Sequence, residues 1–298
     1  MRVISLGSGS SGNALLVEAG PKGRTKILID AGFNGKTLTE RLRMAGVSPA
    51  QLQGILLTHE HTDHILALPT LVRRYGIPVI ADPRTIEAVE RIFASGYIPI
   101  ETENASSVIT ENDPSIISQL SQLLSVGSRC MIGDIEVISF PVSHDAVAPC
   151  GYLLSAGGCR VCVAIDSGEV TATMLEAMNQ ADLLVIESNH DREKLLRGPY
   201  PYSLKQRILG PTGHLSNDQA ADAVLRTWRG DGVRWLWLSH LSRTNNTPKL
   251  ALNNMHTRLV AARANLAQVH ISVLPPGVGG MWDSTQLWHI PSLWEIQG

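Results

Sequence analysis

The stretch Gly54-Ile55-Leu56-Leu57-Thr58-His59-Glu60-His61-Thr62-Asp63-His64 decides how the whole chain is read. Its first half is a short apolar run of the kind that forms a buried strand. Its second half packs His59, His61, Asp63 and His64 into six positions, and all four are residue types that bind metals. In extended backbone alternate side chains share a side, so His59 and His61 converge. From Asp63 onward, apolar residues at Ile65, Leu66, Leu68 and Leu71 predict a helix. That strand-to-helix transition offers Asp63 and His64 to a second point close to the first. Imidazole and carboxylate together suit zinc and other divalent first-row metals. The zincin motif HExxH does not fit, because Asp63 stands where its second His belongs. The plain alternative is a solvated loop with chance histidines, and four donors packed this tightly argue against it.

Composition sets the outer bounds. The chain has 298 residues, is 44% hydrophobic and carries a net charge of -2. That length supports a sizeable core. The charge excludes a global basic field, so contact with nucleic acid requires a local patch. The opening Met1-Arg2-Val3-Ile4-Ser5-Leu6-Gly7 lacks the apolar length of a signal peptide, and no apolar run is long enough to span a bilayer. Four cysteines in a chain this long make no disulfide framework. Cys159 and Cys162 lie in a strand-like run, three residues apart and so on opposite faces, which reads as packing rather than a zinc clip or redox pair. A reducing, cytoplasmic setting is the expectation.

Taken in order, residues 3–6, 13–18 and 26–30 read as strands, and Asp30 ends the third. The loop Gly7-Ser8-Gly9-Ser10-Ser11-Gly12-Asn13 could offer backbone N–H groups to a phosphate, although a hairpin connection is the simpler reading. Helical patterns follow at 36–45, 63–75 and 83–95; Asp82-Pro83 supplies a cap and a first-turn proline for the last. Residues 101–128 turn polar and aperiodic, which predicts a surface insertion with at most one short helix. Strands resume at 134–142, and His144 follows at once. Later strand-like runs end in Asp166, in Glu187-Ser188-Asn189-His190-Asp191 and in Ser239-His240. A helix at 248–264, a strand at 269–274 and a tail at 281–298 with Trp282, Trp288 and Trp294 complete the pattern. His256, His270 and His289 read as structural or surface residues. Each half of the chain runs strands first and helices later, with no linker between. Two sheets packed face to face, with helices outside both, satisfy that order. The expected architecture is therefore α/β, a four-layer αββα sandwich formed by one domain spanning 1–298.

The His59–His64 stretch resembles the HxHxDH signature of the metallo-β-lactamase fold hydrolases, whose fold is the same αββα sandwich. The resemblance implies a binuclear site. It gives His59, His61 and His144 to one metal, Asp63, His64 and His240 to the other, and Asp166 as the bridge. It gives Asp30 the task of orienting a ligand histidine. The two ions would be zinc or manganese. A binuclear site lowers the pKa of a shared water, so the implied reaction is hydrolysis by a metal-bridging hydroxide, with Asp63 a catalytic group as well as a ligand. His61 argues against the diiron oxygen-reducing branch, which has Glu at that place.

Further stretches are similar to the YycJ-type (WalJ) subgroup, which has bacterial members regarded as 5′-to-3′ exonucleases acting on DNA. They are Ser5-Leu6-Gly7-Ser8-Gly9-Ser10-Ser11-Gly12-Asn13, Ser188-Asn189-His190-Asp191, Gly213-His214-Leu215-Ser216-Asn217, and Ser239-His240-Leu241-Ser242 with Asn245-Asn246. The resemblance implies a phosphodiesterase acting on DNA or RNA. Gly213-His214-Leu215-Ser216 also resembles the Gly-His-Ser-Thr motif of transfer-RNA 3′-processing endonucleases, whose His protonates the leaving group; that role passes to His214. Ser216 and Gln219 form a capping-box pattern that would fix His214 just ahead of a helix. The segment from Arg192 to Arg207 adds Lys194, Arg197 and Lys205 with Tyr200 and Tyr202, a mixture suited to phosphate neutralisation and base stacking. Arg197, Lys205 and Arg207, with Asn189 and His190, are the expected substrate contacts; an ordinary solvated helix is the alternative for the basic segment. Two other readings share the metal site: a hydrolase of a small lactone, thioester or cyclic phosphodiester, and a metal-bearing scaffold without turnover. The oligomeric state stays open, a dimer included.

Overall fold

The computed structural model describes residues 1–95, 115–230 and 232–287. Its strands, in chain order, are β1 Arg2–Gly7, β2 Ala14–Ala19, β3 Thr25–Ile29, β4 Gly54–Leu56, β5 Val79–Ala81, β6 Ser121–Leu123, β7 Arg129–Ile132, β8 Ile135–Pro141, β9 Cys150–Ala156, β10 Cys159–Ala164, β11 Leu183–Glu187, β12 Arg234–Ser239, β13 Val269–Val273 and β14 Met281–Asp283. The helices are α1 Gly35–Met44, α2 Thr62–Ile65, α3 Leu68–Tyr75, α4 Pro83–Ala94, α5 Ile116–Gln119, α6 Ala172–Gln180, α7 Arg192–Arg197, α8 Tyr202–Leu209, α9 Asn217–Arg226 and α10 Pro248–Ala261. The strands form two seven-stranded mixed sheets, ordered β14-β1-β2-β3-β4-β5-β6 and β13-β12-β11-β10-β9-β8-β7.

Period-two alternation explains the layering. Val3, Leu15, Val17, Ile27 and Ile29 of the first sheet meet Val137, Tyr152, Leu154, Val161, Val163 and Trp237 of the second in a central core. Their neighbours Ile4, Leu6, Leu16 and Leu28 point the other way, toward Leu38 and Leu42 of α1 and Leu71 and Val72 of α3. On the far side, Cys162, Leu184, Ile186 and Leu236 pack against Met174 and Met178 of α6, Ala220 and Val224 of α9 and Met255 of α10. Three apolar layers separating four layers of structure make the αββα sandwich. Cys159 belongs to the central core and Cys162 to the outer one, so the CxxC is split across the sheet.

Local chemistry fixes the element ends. Asp82 caps α4 through a bond from Arg84 N, with Pro83 following. The helical pattern at 63–75 divides into α2 and α3, because Pro69 near the start of α3 has no N–H to continue the ladder. Ala67 N–H instead donates to Ala31 O at 2.8 Å. One expectation needs revising. Residues 115–128 are not a free-standing surface segment: Ile116 and Ile117 are buried, and β6 extends the first sheet beside β5. The polar composition misled because β6 is an edge strand with a solvated side. The rest of the expected insertion, 101–114, lies outside the described residues. Trp282 of the tail packs on the body, wholly buried in β14 against β1. Trp288 and Trp294 fall outside the described residues.

Candidate metal centre

The centre lies where strands of both sheets end. From the first sheet come the residues after β4; from the second come His144 after β8, Asp166 after β10, Glu187 at the end of β11 and His240 after β12. β10, β11 and β12 are parallel neighbours, so their last residues stand side by side. Asp30, Asp166 and His240 adopt left-handed backbone, with φ of 62°, 54° and 54°. That conformation is uncommon outside glycine and best tolerated by Asn, Asp and His. It bends the chain off the strand at three residues of the cluster, which is local strain concentrated at one place.

Potential ligand atoms come within 4.8 Å of one another in four overlapping groups: His59, His61 and His144; His59, His64 and Asp166; Asp63, His64 and His240; and Asp166, Glu187, His214 and His240. All seven residues that the sequence offers as ligands are thus brought together, with Asp166 grouped with His59 from one expected triad and with His64 and His240 from the other. The outer nitrogens of several rings are engaged, which fixes the tautomer and leaves the inner nitrogens for a metal. His144 Nδ1–H donates to Gly213 O at 3.1 Å, and His64 Nδ1–H to Asp30 Oδ2 at 2.8 Å. Thr58 Oγ1 donates to the Asp30 carboxylate and lies 2.9 Å from His59 Nδ1, from which it accepts. Asp30 therefore orients His64 directly and His59 through Thr58. His240 Nδ1 lies 2.9 Å from Glu187 Oε1 and 2.7 Å from Asp166 Oδ1.

The residues fit a metal on two counts. His59 Nε2, His240 Nε2 and both Asp166 oxygens are buried with no well-formed hydrogen bond. His144 Nε2 and His61 Nδ1 face each other at 3.2 Å, as two donors to one ion would. The donor set, imidazole and carboxylate, suits zinc or manganese. The surrounding loops are built close. A Cβ on Gly32 would meet Asp63 O at 1.6 Å, while Asn13 N–H donates to that same carbonyl. The 7–13 loop connects β1 to β2 as a hairpin and also touches the centre. Ser8 Oγ accepts from His240 N at 2.8 Å, and Asn13 Nδ2 lies 3.4 Å from Asp63 Oδ2.

Electrostatics follow from the mixture of charges. Burial pushes the Asp63 carboxyl up, but His64 and His240 outweigh it and hold it well below the usual carboxylate range. The same contest, with the same winner, depresses Asp166. Burial pushes His59 down and keeps it neutral. Glu187, completely buried, is brought to about 2 despite desolvation, because the His214 charge and bonds from His214 and His240 favour the carboxylate. His214 rises to about 9: burial lowers it, and the charges of Glu187 and Asp166 more than compensate.

Glu187 is the residue that sequence reasoning missed. Its carboxylate lies 2.7 Å from His214 Nδ1 and also accepts from Ser167 N and Leu215 N. The available signal was an acid closing an all-apolar strand, as Asp30 and Asp166 nearly do. Among the expected substrate contacts, Asn189 and His190 are 5% and 0% exposed and stand behind the centre. Asn189 Nδ2 donates to His240 O, and the 239–246 loop covers both residues through bonds such as Ser242 N to Asn189 O. Burial drives His190 down to about 4, so it is neutral. Arg197 pairs with Glu193 on its own helix, and Lys205 donates to Leu196 O. Arg207 alone of these three is bonded to a neighbour of the cluster, Asp145, at 2.5 Å.

A sandwich of two mixed sheets that gathers histidines and aspartates at its strand ends defines a metal-site class of hydrolase folds. The chain belongs to the beta-lactamase superfamily: the model of the Beta-lactamase superfamily domain matches residues 25–240. Within it, the chain is 38% identical over 257 residues to the exodeoxyribonuclease WalJ of Streptococcus pneumoniae, covering 86% of this chain and 87% of that one. It is 38% identical over 246 residues to the exodeoxyribonuclease YycJ of Bacillus anthracis, covering 83% and 84%. Among solved structures, the metallo-beta-lactamase fold protein YhfI of Bacillus subtilis superposes with a TM-score of 0.63 at 16% identity, over 95% of this chain and 99% of that one, a likeness of fold.

Proposed function

We propose that this protein is a metal-dependent nuclease that hydrolyses phosphodiester bonds of DNA. The observation that carries the reading is the Glu187–His214 pair set beside the ligand cluster, with 2.7 Å between Glu187 Oε1 and His214 Nδ1. The departing sugar oxygen of a phosphodiester is a poor leaving group unless it is protonated. A thioester sulfur has no such need, so a held imidazolium at the site favours the phosphodiester over the thioester. The names of the relatives, which span most of the chain, support the same substrate class.

Two divalent ions, zinc or manganese, would be held by His59, His61 and His144 on one side and Asp63, His64 and His240 on the other, with Asp166 between. When bound, they would supply a water of lowered pKa and stabilise charge on the attacked phosphate. The chain's own groups do the rest. Asp30 and Thr58 orient His64 and His59. Glu187 engages Nδ1 of His214, so the proton available to the leaving oxygen is the one on Nε2. Asp63 lies on the rim of the cluster, about a quarter exposed, where it can act as ligand and catalytic group together. No described helix is long and apolar enough to cross a membrane.

The test is a metal count combined with a substrate panel. Metal-replete protein is expected to carry about two ions per chain, to lose part of them in Asp166→Ala, and to degrade single-stranded or duplex DNA. A wild-type chain that holds at most one ion would end the binuclear reading. Efficient turnover of a lactone or thioester with DNA and RNA left intact would replace the nuclease by a small-molecule hydrolase.

A further inference from the structure

Asp145, the residue after the ligand candidate His144, has no part in the reading above, yet it bridges the metal centre to the basic segment. Its Oδ1 lies 3.5 Å from His144 Nε2 and 4.0 Å from His61 Nε2. Its Oδ2 accepts from Arg207 Nε at 2.5 Å. The Arg207 side chain is 57% exposed, so the rest of the guanidinium faces solvent. We propose that Asp145 is a positioning residue that holds Arg207 at the mouth of the metal centre, where the guanidinium grips the substrate-strand phosphate adjoining the scissile one.

The supporting backbone is laced together. Asp145 N–H donates to Thr212 O at 3.1 Å, Ser143 Oγ–H to Pro211 O at 2.8 Å, and His144 Nδ1–H to Gly213 O. Gly213 is packed so tightly on the end of α8 that a Cβ there would meet Arg207 O and Ile208 O at 2.3 Å. The loop that carries His144 and the helix end that carries Arg207 are thereby fixed to each other. A partly exposed ion pair adds little stability, so fold stability gives a weak reason for the arrangement. Recognition gives a stronger one. Left alone, the Asp145 charge would repel a phosphate strand. Paired through Nε, it leaves Arg207 with a planar fork suited to phosphate oxygens. Three other cations of the segment are placed differently, with Lys194 donating to Asn246 O, Arg197 pairing with Glu193 and Lys205 bonded to Leu196 O.

The identity of the anion rests on the nuclease reading, and the experiment separates the two. Asp145→Ala, Asp145→Asn, Arg207→Gln and the Asp145→Ala/Arg207→Gln double variant are compared with wild type on DNA and on bis(p-nitrophenyl) phosphate, which has no neighbouring phosphate. Asp145→Ala and Arg207→Gln should each raise KM for DNA roughly tenfold, with kcat within about twofold and a flatter salt dependence. The double variant should be no worse than Arg207→Gln alone, since the two residues act as a unit. Asp145→Asn should retain part of the effect, because the amide oxygen still accepts from Arg207. Metal content should match wild type throughout, and each variant should lose far less on the small diester than on DNA. Metal loss in Asp145→Ala, an equal defect on the small diester, or losses that multiply in the double variant would overturn the proposal. A wild-type chain inert on nucleic acid would remove the nuclease reading but still decide the clamp: inorganic pyrophosphate binding to the metal-loaded chain, measured by calorimetry, must weaken in Arg207→Gln and in Asp145→Ala.

Discussion

His214 sits just ahead of the N-terminus of α9, where the helix dipole disfavours a positive charge. A histidine in that place needs an anion to remain protonated, and Glu187 is that anion. Asp166 contributes as well, but its charge would be shared with bound cations, which leaves Glu187 as the lasting partner. A group whose pKa is raised by a carboxylate is protonated below that pKa and loses its proton as the pH rises through it. Turnover that depends on the imidazolium should therefore decline on the alkaline side, as the pH rises past a His214 pKa that Glu187 holds above the ordinary histidine value. Glu187→Gln keeps an acceptor for the backbone N–H groups and removes the charge, so the alkaline limb of kcat should move to lower pH; a limb that stays in place would dissociate Glu187 from the proton. His214→Ala should keep metals and substrate affinity and lose about a hundredfold in kcat. On a nitrophenyl ester, whose leaving group needs no proton, that variant should approach wild type. Equal losses on both substrates would leave His214 a positioning residue.

The element that places His214 is α9. Ser216 Oγ accepts from Gln219 N, and the Gln219 side chain accepts from Ser216 N, which closes the capping box. Gln219 Nε2 also donates to Gly168 O, tying the helix start to the loop after Asp166. Ser216→Ala should therefore do two things. It should lower unfolding stability by about 1 kcal/mol, the usual value of an N-cap, as denaturant titration would record. It should also lower kcat while metal content is unchanged, because the loop that carries His214 loses its anchor. Loss of stability with kcat intact would show that the cap serves α9 alone. The sequence disclosed this cap by spacing, and it disclosed the Asp82 cap of α4 in the same way.

At the scale of the molecule, the candidate ligands are distributed over both sheets: His59, His61, Asp63 and His64 follow a strand of the first, and His144, Asp166 and His240 follow strands of the second. Bound ions would cross-link the two halves of the sandwich at their strand ends. Removing them leaves buried carboxylates and imidazoles facing one another without the cations that balance them. Chelation should therefore lower Tm, and zinc or manganese should restore it. A hundredfold excess of free metal over Kd corresponds to about 2.7 kcal/mol per site, or a shift of roughly 4 °C for a chain of this size. A Tm indifferent to chelator, in protein shown by analysis to lose its metal, would mean that the sandwich closes without help from the site.

What the sequence determined by itself is what short-range spacing encodes. Period-two alternation set the strands and their two faces, caps set the starts of α4 and α9, and the density of donors in His59–His64 announced a metal site. His144, Asp166 and His240 were legible because each follows a strand, and because the resemblance supplied their order. Tertiary structure decided what depends on residues far apart in the chain meeting in space. Glu187 joins His214 from 27 positions away, and Arg207 joins Asp145 across 62. Nothing in local propensity signals such pairs; the parallel register of β10, β11 and β12 and the lacing of the 143–145 loop to the end of α8 create them. The same cause buried Asn189 and His190, expected among the substrate contacts, beneath a loop fifty residues downstream. It also made β6 an edge strand within a stretch whose composition reads as loop, since pairing beside β5 supplies the backbone bonds that its own sequence does not specify.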